Sequence, residues 1–305
     1  MSYAATRKEG APLQESTASG PPRRARRPDA SSARASTMRK LSASMRHGFL
    51  REVALVTGAM LAYFGIRNQT VGGAEEAFAN AEGIVELEQS LHVAWEDLVQ
   101  ASMIGSDALV TLTNWVYIWG HWPVILGVAI ALYLHRRERY YLLRNALFVS
   151  GAIGFAFFAF LPVAPPRLLD LGLEDTVTSE SSAYRALQPP GLTNQYAAFP
   201  SLHVGWNVVV GIVLLLTTAH LAVRLFAVVS PLAMSFAVVA TANHFVLDVA
   251  AGVAVVVVGL VVALAIEKRA AAATLDRSGS AARLGNELRR AAPVPRRASR
   301  GQPPQ

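Results

Sequence analysis

His244 and Asp248 stand four residues apart in "TANHFVLDVAAG", at the start of a long aliphatic run. On a helix that spacing puts both on one face, with Asp248 one turn deeper. A carboxylate that accepts the Nδ1–H of an imidazole fixes its tautomer and stabilises the imidazolium, leaving Nε2 free to attack an electrophile. His203, in "FPSLHVGW", is suited to protonating a leaving oxygen. Arg167, in "LPVAPPRLL", offers a planar fork of donors that matches phosphate. Pro200 suits a helix start, so the helix after it aims its dipole and free amides, that of Ser201 among them, at the same anion. Taken together these residues describe phosphoryl transfer through a phosphohistidine. Taken singly, His203 reads as readily as a helix cap. His203, His244 and Asp248 could also form a two-histidine, one-carboxylate metal triad. Asp248 is better placed behind His244 than beside it as a ligand, however, and Arg167 would repel a cation. No metal and no cofactor is expected.

The elements that must position these residues are helices in a membrane. Of 305 residues, 52% are hydrophobic and 16% charged, against about a quarter charged in a soluble chain. Six apolar stretches, near 50–66, 108–134, 141–161, 201–219, 221–242 and 244–266, each approach the roughly 20 residues that cross about 30 Å of hydrocarbon. The second contains Trp122-Pro123, where a kink or an early break is expected. An ionisable group within a span costs about 2.5–3.5 kcal/mol, so Asp248 in its aliphatic surroundings calls for a function.

Charge orients the spans. The loop with Arg136, Arg137, Arg139 and Arg144, the turn at Arg224 and the "EKR" after the last span fall on one side. Segment 67–107 has one Arg against eight acids, and loop 162–200 has two against four, on the other. This predicts an all-α, polytopic bundle of six transmembrane helices in a bacterial-type cell membrane, with both termini cytoplasmic. Arg167, His203 and His244 then share the extracytoplasmic end. Residues 50–266 form the membrane domain. Residues 1–49 and 267–305 read as disordered basic tails, rich in Arg, Ala, Ser and Pro. Their partner is expected to be anionic headgroups rather than nucleic acid. In segment 67–107, Ile84, Leu87, Leu91, Trp95 and Leu98 recur at helical spacing opposite Glu82, Glu86, Glu88 and Glu96. An acidic amphipathic helix packed over the outer mouth of the bundle is expected, as a solvated cap without a catalytic part. The chain has no cysteine, which excludes thiol nucleophiles, iron–sulfur clusters and disulfide scaffolds.

At these residues the sequence resembles the type-2 phosphatidic acid phosphatase superfamily, and within it the inositol phosphorylceramide synthase-like branch. The superfamily's PSxH signature stands as "PSLH", Pro200 to His203, and its terminal HxxxD as His244 and Asp248. "NWVYIWGHWP" (Asn114, Tyr117, His121) and "NQYAAFPSLH" (Asn194, Tyr196) are similar to that branch. The resemblance implies His244 as nucleophile, Asp248 as its orienting partner and His203 as the acid. Two positions depart from it. The KxxxxxxRP signature is absent, with "APPR" and Arg167 in its place, and Val238 stands where an Arg is usual six residues before the histidine. Arg167, Ser201, Asn243 and Thr241 are left to complete the phosphate pocket. His121 reads equally as a packing residue or a site residue.

The substrate expected is a phospholipid or another lipid-linked phosphate. Transfer of an inositol phosphate-type headgroup to an alcohol is the leading reading, because a phosphodiester carries less charge than a terminal phosphate. Hydrolysis of phosphatidic acid or polyprenyl phosphates is the alternative. A non-catalytic transporter or scaffold is the rival of another class, but no inverted repeat or midplane pair of broken helices accompanies it.

Overall fold

A computed structural model describes residues 48–59, 61, 73–180 and 194–291. Residues 48–57 belong to a separate unit and are helical. The rest is built from α1 (Ala74–Leu91), α2 (Glu96–Ala101), α3 (Asp107–Trp119), α4 (Trp122–His135), α5 (Arg137–Phe160), α6 (Thr176–Glu180), α7 (Leu202–Thr217), α8 (Leu221–Ala240) and α9 (Val246–Ala291). Among the described residues there is no strand, only an isolated parallel bridge between Val163 and Ala197. The chain is all-α.

Three helices are long and apolar enough to cross a membrane: α5, α8 and the Val246–Asp276 part of α9. They become four if α3 and α4 count as one span. These two meet at an angle of 47°, and the break falls at the Trp122-Pro123 pair expected to cause it. The expected set of six is therefore not reproduced helix for helix. α7 is apolar but only 16 residues long, and the stretch 50–66 lies partly outside the described residues. α9 continues to Ala291, beyond the point where composition reads as tail. Residues 1–47 and 292–305 lie outside the described residues.

α9 packs on α5 and α7, and α7 on α8. Small residues let these backbones approach, as helices in lipid require. A Cβ on Gly205 of α7 would come within 2.6 Å of the Gly252 carbonyl oxygen, and a Cβ on Gly252 would strike the Ser201 carbonyl. That crossing sits one turn from Asp248 and two residues from His203, so it sets the spacing of the two histidine-bearing segments.

The 67–107 segment corrects the expectation. α1 is helical as read, but Leu87, Leu91, Trp95 and Leu98 are exposed, whereas Glu88 and Glu96 are 1% and 7% exposed. Its inward contacts come from Ala77 and Ala81, packed against Val163, Ala164, Ala198 and Phe245. The face is only partly exchanged: Glu82 and Glu86 stay exposed, and Ile84 packs against the same buried cluster. The two buried carboxylates, Glu88 and Glu96, find backbone donors. Polar side chains tie this segment to the loop after α5. Asn80 Nδ2 donates to the Pro162 carbonyl (2.9 Å), the Ala164 amide to the Ala77 carbonyl (3.0 Å), and Gln100 Nε2 to the carbonyls of Glu174 and Ala240 (3.0 and 2.9 Å).

Replacing Gly252 by Ala forces α7 and α9 apart. Overpacking of this kind costs about 1–3 kcal/mol. The expected result is a lower unfolding temperature of the detergent-solubilised protein and a parallel loss of turnover.

Candidate active site

His244 lies not on α9 but in the turn before it. α8 ends in a Schellman motif: the Ala242 amide donates to the Val239 carbonyl (2.9 Å) and the Asn243 amide to the Val238 carbonyl (3.0 Å). Position C′ is Ala242, at φ +52°, a left-handed conformation that disfavours a side chain by about 1–2 kcal/mol. The Val238 carbonyl accepts the His244 amide as well (3.0 Å). Val238, which stands where the superfamily has an arginine, is fully buried. Its contribution here is that carbonyl.

The contact between His244 and Asp248 exists but arises differently from the one read on a helix face. α9 begins at Val246, and Asp248, in its first turn, reaches back. Its Oδ2 accepts the Phe245 amide (2.9 Å) and lies 3.3 Å from His244 Nδ1. This is half of a capping box. The shorter partner of Nδ1 is the Ala198 carbonyl oxygen, at 2.7 Å. A carbonyl can only accept, so Nδ1 carries the proton and Nε2 holds the lone pair. Two groups, one from the loop before α7 and one from α9, hold the imidazole in that tautomer.

His203 is half-buried, its ring centroid 5.8 Å from that of His244. Tyr117 stacks on it at 4.9 Å and His121 lies at 4.4 Å, both contributed by α3 and the break that follows it. His121 is buried and stacks on Trp206 as well. Ser201 does not offer its amide to an anion as expected, because that N–H donates to the Asp248 carbonyl (2.9 Å). Its hydroxyl is fully buried and has no hydrogen-bond partner among the described residues.

Arg167 sits in a one-turn 3-10 helix, Pro166–Leu168, and its amide donates to the Ala242 carbonyl (2.9 Å). Its Nη1 donates to Asn243 Oδ1 (2.5 Å), and its Nε pairs with Asp175 Oδ2 at 3.3 Å. The amide of Asn243 is fully engaged, since Nδ2 donates to the carbonyl and the hydroxyl of Thr241 (3.1 and 2.9 Å). Asn243 is thus a brace for the guanidinium. The structure brings Arg167, Asn243, His244 and Asp248 together and sets His203 against His244.

The sequence profile of the PAP2 superfamily matches residues 82–262, more than half of the chain. The chain belongs to the PAP2 superfamily. No curated protein matches it. The crystal structure of LpxE from Aquifex aeolicus aligns at 17% identity, covering 55% of this chain and 92% of that one, with a TM-score of 0.43. Membership makes this an integral membrane protein and an enzyme of the lipid phosphatase type.

Four groups that bear on a PAP2 site in this chain escaped the sequence reading: the Ala198 carbonyl, Asp175, Glu88 and Glu96. No residue type announces a carbonyl. The acids did leave a signal, eight residues apart in a segment that faces protein. Glu96 Oε1 accepts the Val246 amide (2.8 Å), and Glu88 Oε1 accepts the Leu247 amide (2.7 Å). Burial pushes the Glu88 carboxyl up to about 8, with help from the facing Glu96 and Asp248 and against the pull of the Leu247 amide. A carboxyl raised this way is a burden on the folded state. The burden grows as pH rises from the ordinary 4.5 and levels off above about 8, where folded and unfolded chains are both ionised. Glu88→Gln should therefore unfold at a higher temperature than wild type. The gap should widen between pH 4.5 and about 8, as read by thermal unfolding of the purified protein in detergent.

Proposed function

We propose that this PAP2 enzyme transfers a phospho-headgroup between lipid-linked alcohols through a phosphohistidine on His244, at the extracytoplasmic end of a six-span bundle whose termini are cytoplasmic. Nε2 of His244 attacks phosphorus in line, the bond to the leaving oxygen breaks, and His203 gives that oxygen its proton. An acceptor hydroxyl then attacks the phosphohistidine. His203 takes the acceptor's proton, and Nε2 is released. Asp248 and the Ala198 carbonyl hold the Nδ1 proton throughout. Arg167 binds the non-bridging oxygens.

The observation that carries the choice of substrate is the state of Arg167. Among the described residues it is the cation placed at this site, and Asp175 already offsets part of its charge at 3.3 Å. Val238 supplies no charge where the superfamily has a second cation. A monoanionic phosphodiester suits such a pocket better than a dianionic monoester, which one half-neutralised guanidinium would leave undercompensated. This supports headgroup transfer over removal of a terminal phosphate.

Two experiments test the reading. Phosphorus NMR of a bacterial lipid extract incubated with wild-type or His244→Ala protein should show one phosphodiester shrinking and another growing, with wild type alone. Free phosphate instead would make the enzyme a lipid phosphatase, and undiminished turnover by His244→Ala would sink the covalent mechanism. Asp175→Asn should raise kcat/KM for a monoester lipid relative to a diester by about tenfold, because a like charge near the phosphate is removed. An unchanged ratio would sink the charge argument.

A further inference from the structure

The amides of Phe245, Val246 and Leu247 are the first donors of α9, and a helix leaves such groups without intrahelical partners. Exposed to water they need nothing. Here Phe245 is fully buried, as is the Asp248 carboxylate, and Val246 and Leu247 are half-buried; all three amides are bonded within the protein. Asp248 supplies one, from the helix's own first turn. The residue at the helix start is Phe245, which has no side-chain oxygen to complete a capping box. The two remaining amides are satisfied from 150 and 159 residues away in sequence, by Glu96 and Glu88.

We infer that Glu88 and Glu96 are positioning residues for the His244 reaction: they clamp the first turn of α9, and so fix the turn that presents His244 Nε2 to phosphorus. The connection is short. His244 is followed directly by Phe245, Val246 and Leu247, so a displacement of the first turn moves the imidazole and the carboxylate of Asp248 with it. The Schellman turn fixes the other side of His244, through the Val238 carbonyl. His244 is thereby held from both flanks, on one by α8 and on the other by α1 and α2. Glu88 and Glu96 reach neither substrate nor the reacting nitrogen. Their segment is placed for the task by a second Schellman motif at the end of α1, where His92 is at φ +58° and the Val93 amide donates to the Glu88 carbonyl (2.9 Å). That reversal brings α2, and with it Glu96, alongside Glu88.

The inference rests on His244 as the nucleophile, so His244→Ala is run beside the variants below. Glu88→Leu and Glu96→Leu remove the acceptors. Misplacement of a reacting group by about an ångström costs on the order of a hundredfold in rate, so kcat should fall by about ten- to a hundredfold. KM should change by less than about threefold, because Arg167 and Asn243 are held by other bonds. Glu88→Gln and Glu96→Gln keep a carbonyl oxygen at the same reach and should recover most of the lost kcat. Single-turnover formation of the phosphoenzyme should slow in proportion to kcat. Where a Leu variant does not fold, Glu96→Asp replaces it; one methylene shorter, it cannot reach the Val246 amide and should lose kcat in the same way. Wild-type kcat in folded Leu or Asp variants overturns the clamp, as does a Gln variant no better than Leu. If His244→Ala itself retains turnover, it is the functional reading that fails. A dead His244→Ala beside active Leu variants sinks the clamp alone.

Discussion

A helix that starts inside a protein has to dispose of its first amides, and in this chain that requirement governs most of the outer end. α9 begins at a buried Phe245, followed by the half-buried Val246 and Leu247. Three carboxylates meet them, one on each of three successive residues. A buried unpaired amide costs about 1–3 kcal/mol, and so does each orphaned acid, so donors and acceptors exist as a set. From this set follow the burial of Glu88 and Glu96 and the shape of the turn at His244.

The turn itself is over-determined. Ala242 occupies a conformation in which glycine would be free of strain, and it holds there because its amide and its carbonyl are both bonded, the one to Val239 and the other accepting from Arg167. The same residue therefore stops α8, aims His244 and anchors the 3-10 turn of the arginine. Strain of this kind persists where the surroundings fix it, and such places concentrate at functional sites. The contact of Gly205 and Gly252 then sets how closely the His203 segment approaches.

Much of this was legible in the sequence and some was not, and the division is physical. The apolar runs, the break at Trp122-Pro123 and the pairing of His244 with Asp248 rest on local composition and spacing, which one chain displays directly. Period also revealed α1, but not which face looks inward. The usual rule, apolar in and charged out, does not foresee that amides in the interior draw Glu88 and Glu96 inward while Glu82 and Glu86 stay exposed. The same blindness applied to Ser201. A helix N-terminus reads as free donors until one knows that the carbonyl of Asp248 is already bound there. Ala198 and Asp175 act through a backbone carbonyl and a distant ion pair, and neither has a local pattern. Composition does not fix the number of spans, because α7 is apolar over most of its length yet shorter than a straight crossing requires.

The charge balance of the outer end connects the clamp to the chemistry. Glu88, Glu96, Asp248 and Asp175 all lie within the same group of packed segments, and Arg167 is the cation set among them. Such an excess of acid would repel an anionic substrate if all of it were ionised and free. Two features lower the repulsion. Burial keeps a proton on Glu88 at neutral pH, and the first amides of α9, at the positive end of its dipole, bond Glu96 and Asp248. What remains at the phosphate, among the described residues, is one guanidinium, oriented by Asn243 and partly offset by Asp175. A site with so little positive charge to spare binds a phosphate whose own charge is already reduced by esterification. The hydrogen bonds that build the turn therefore also narrow the class of molecule the site can accept.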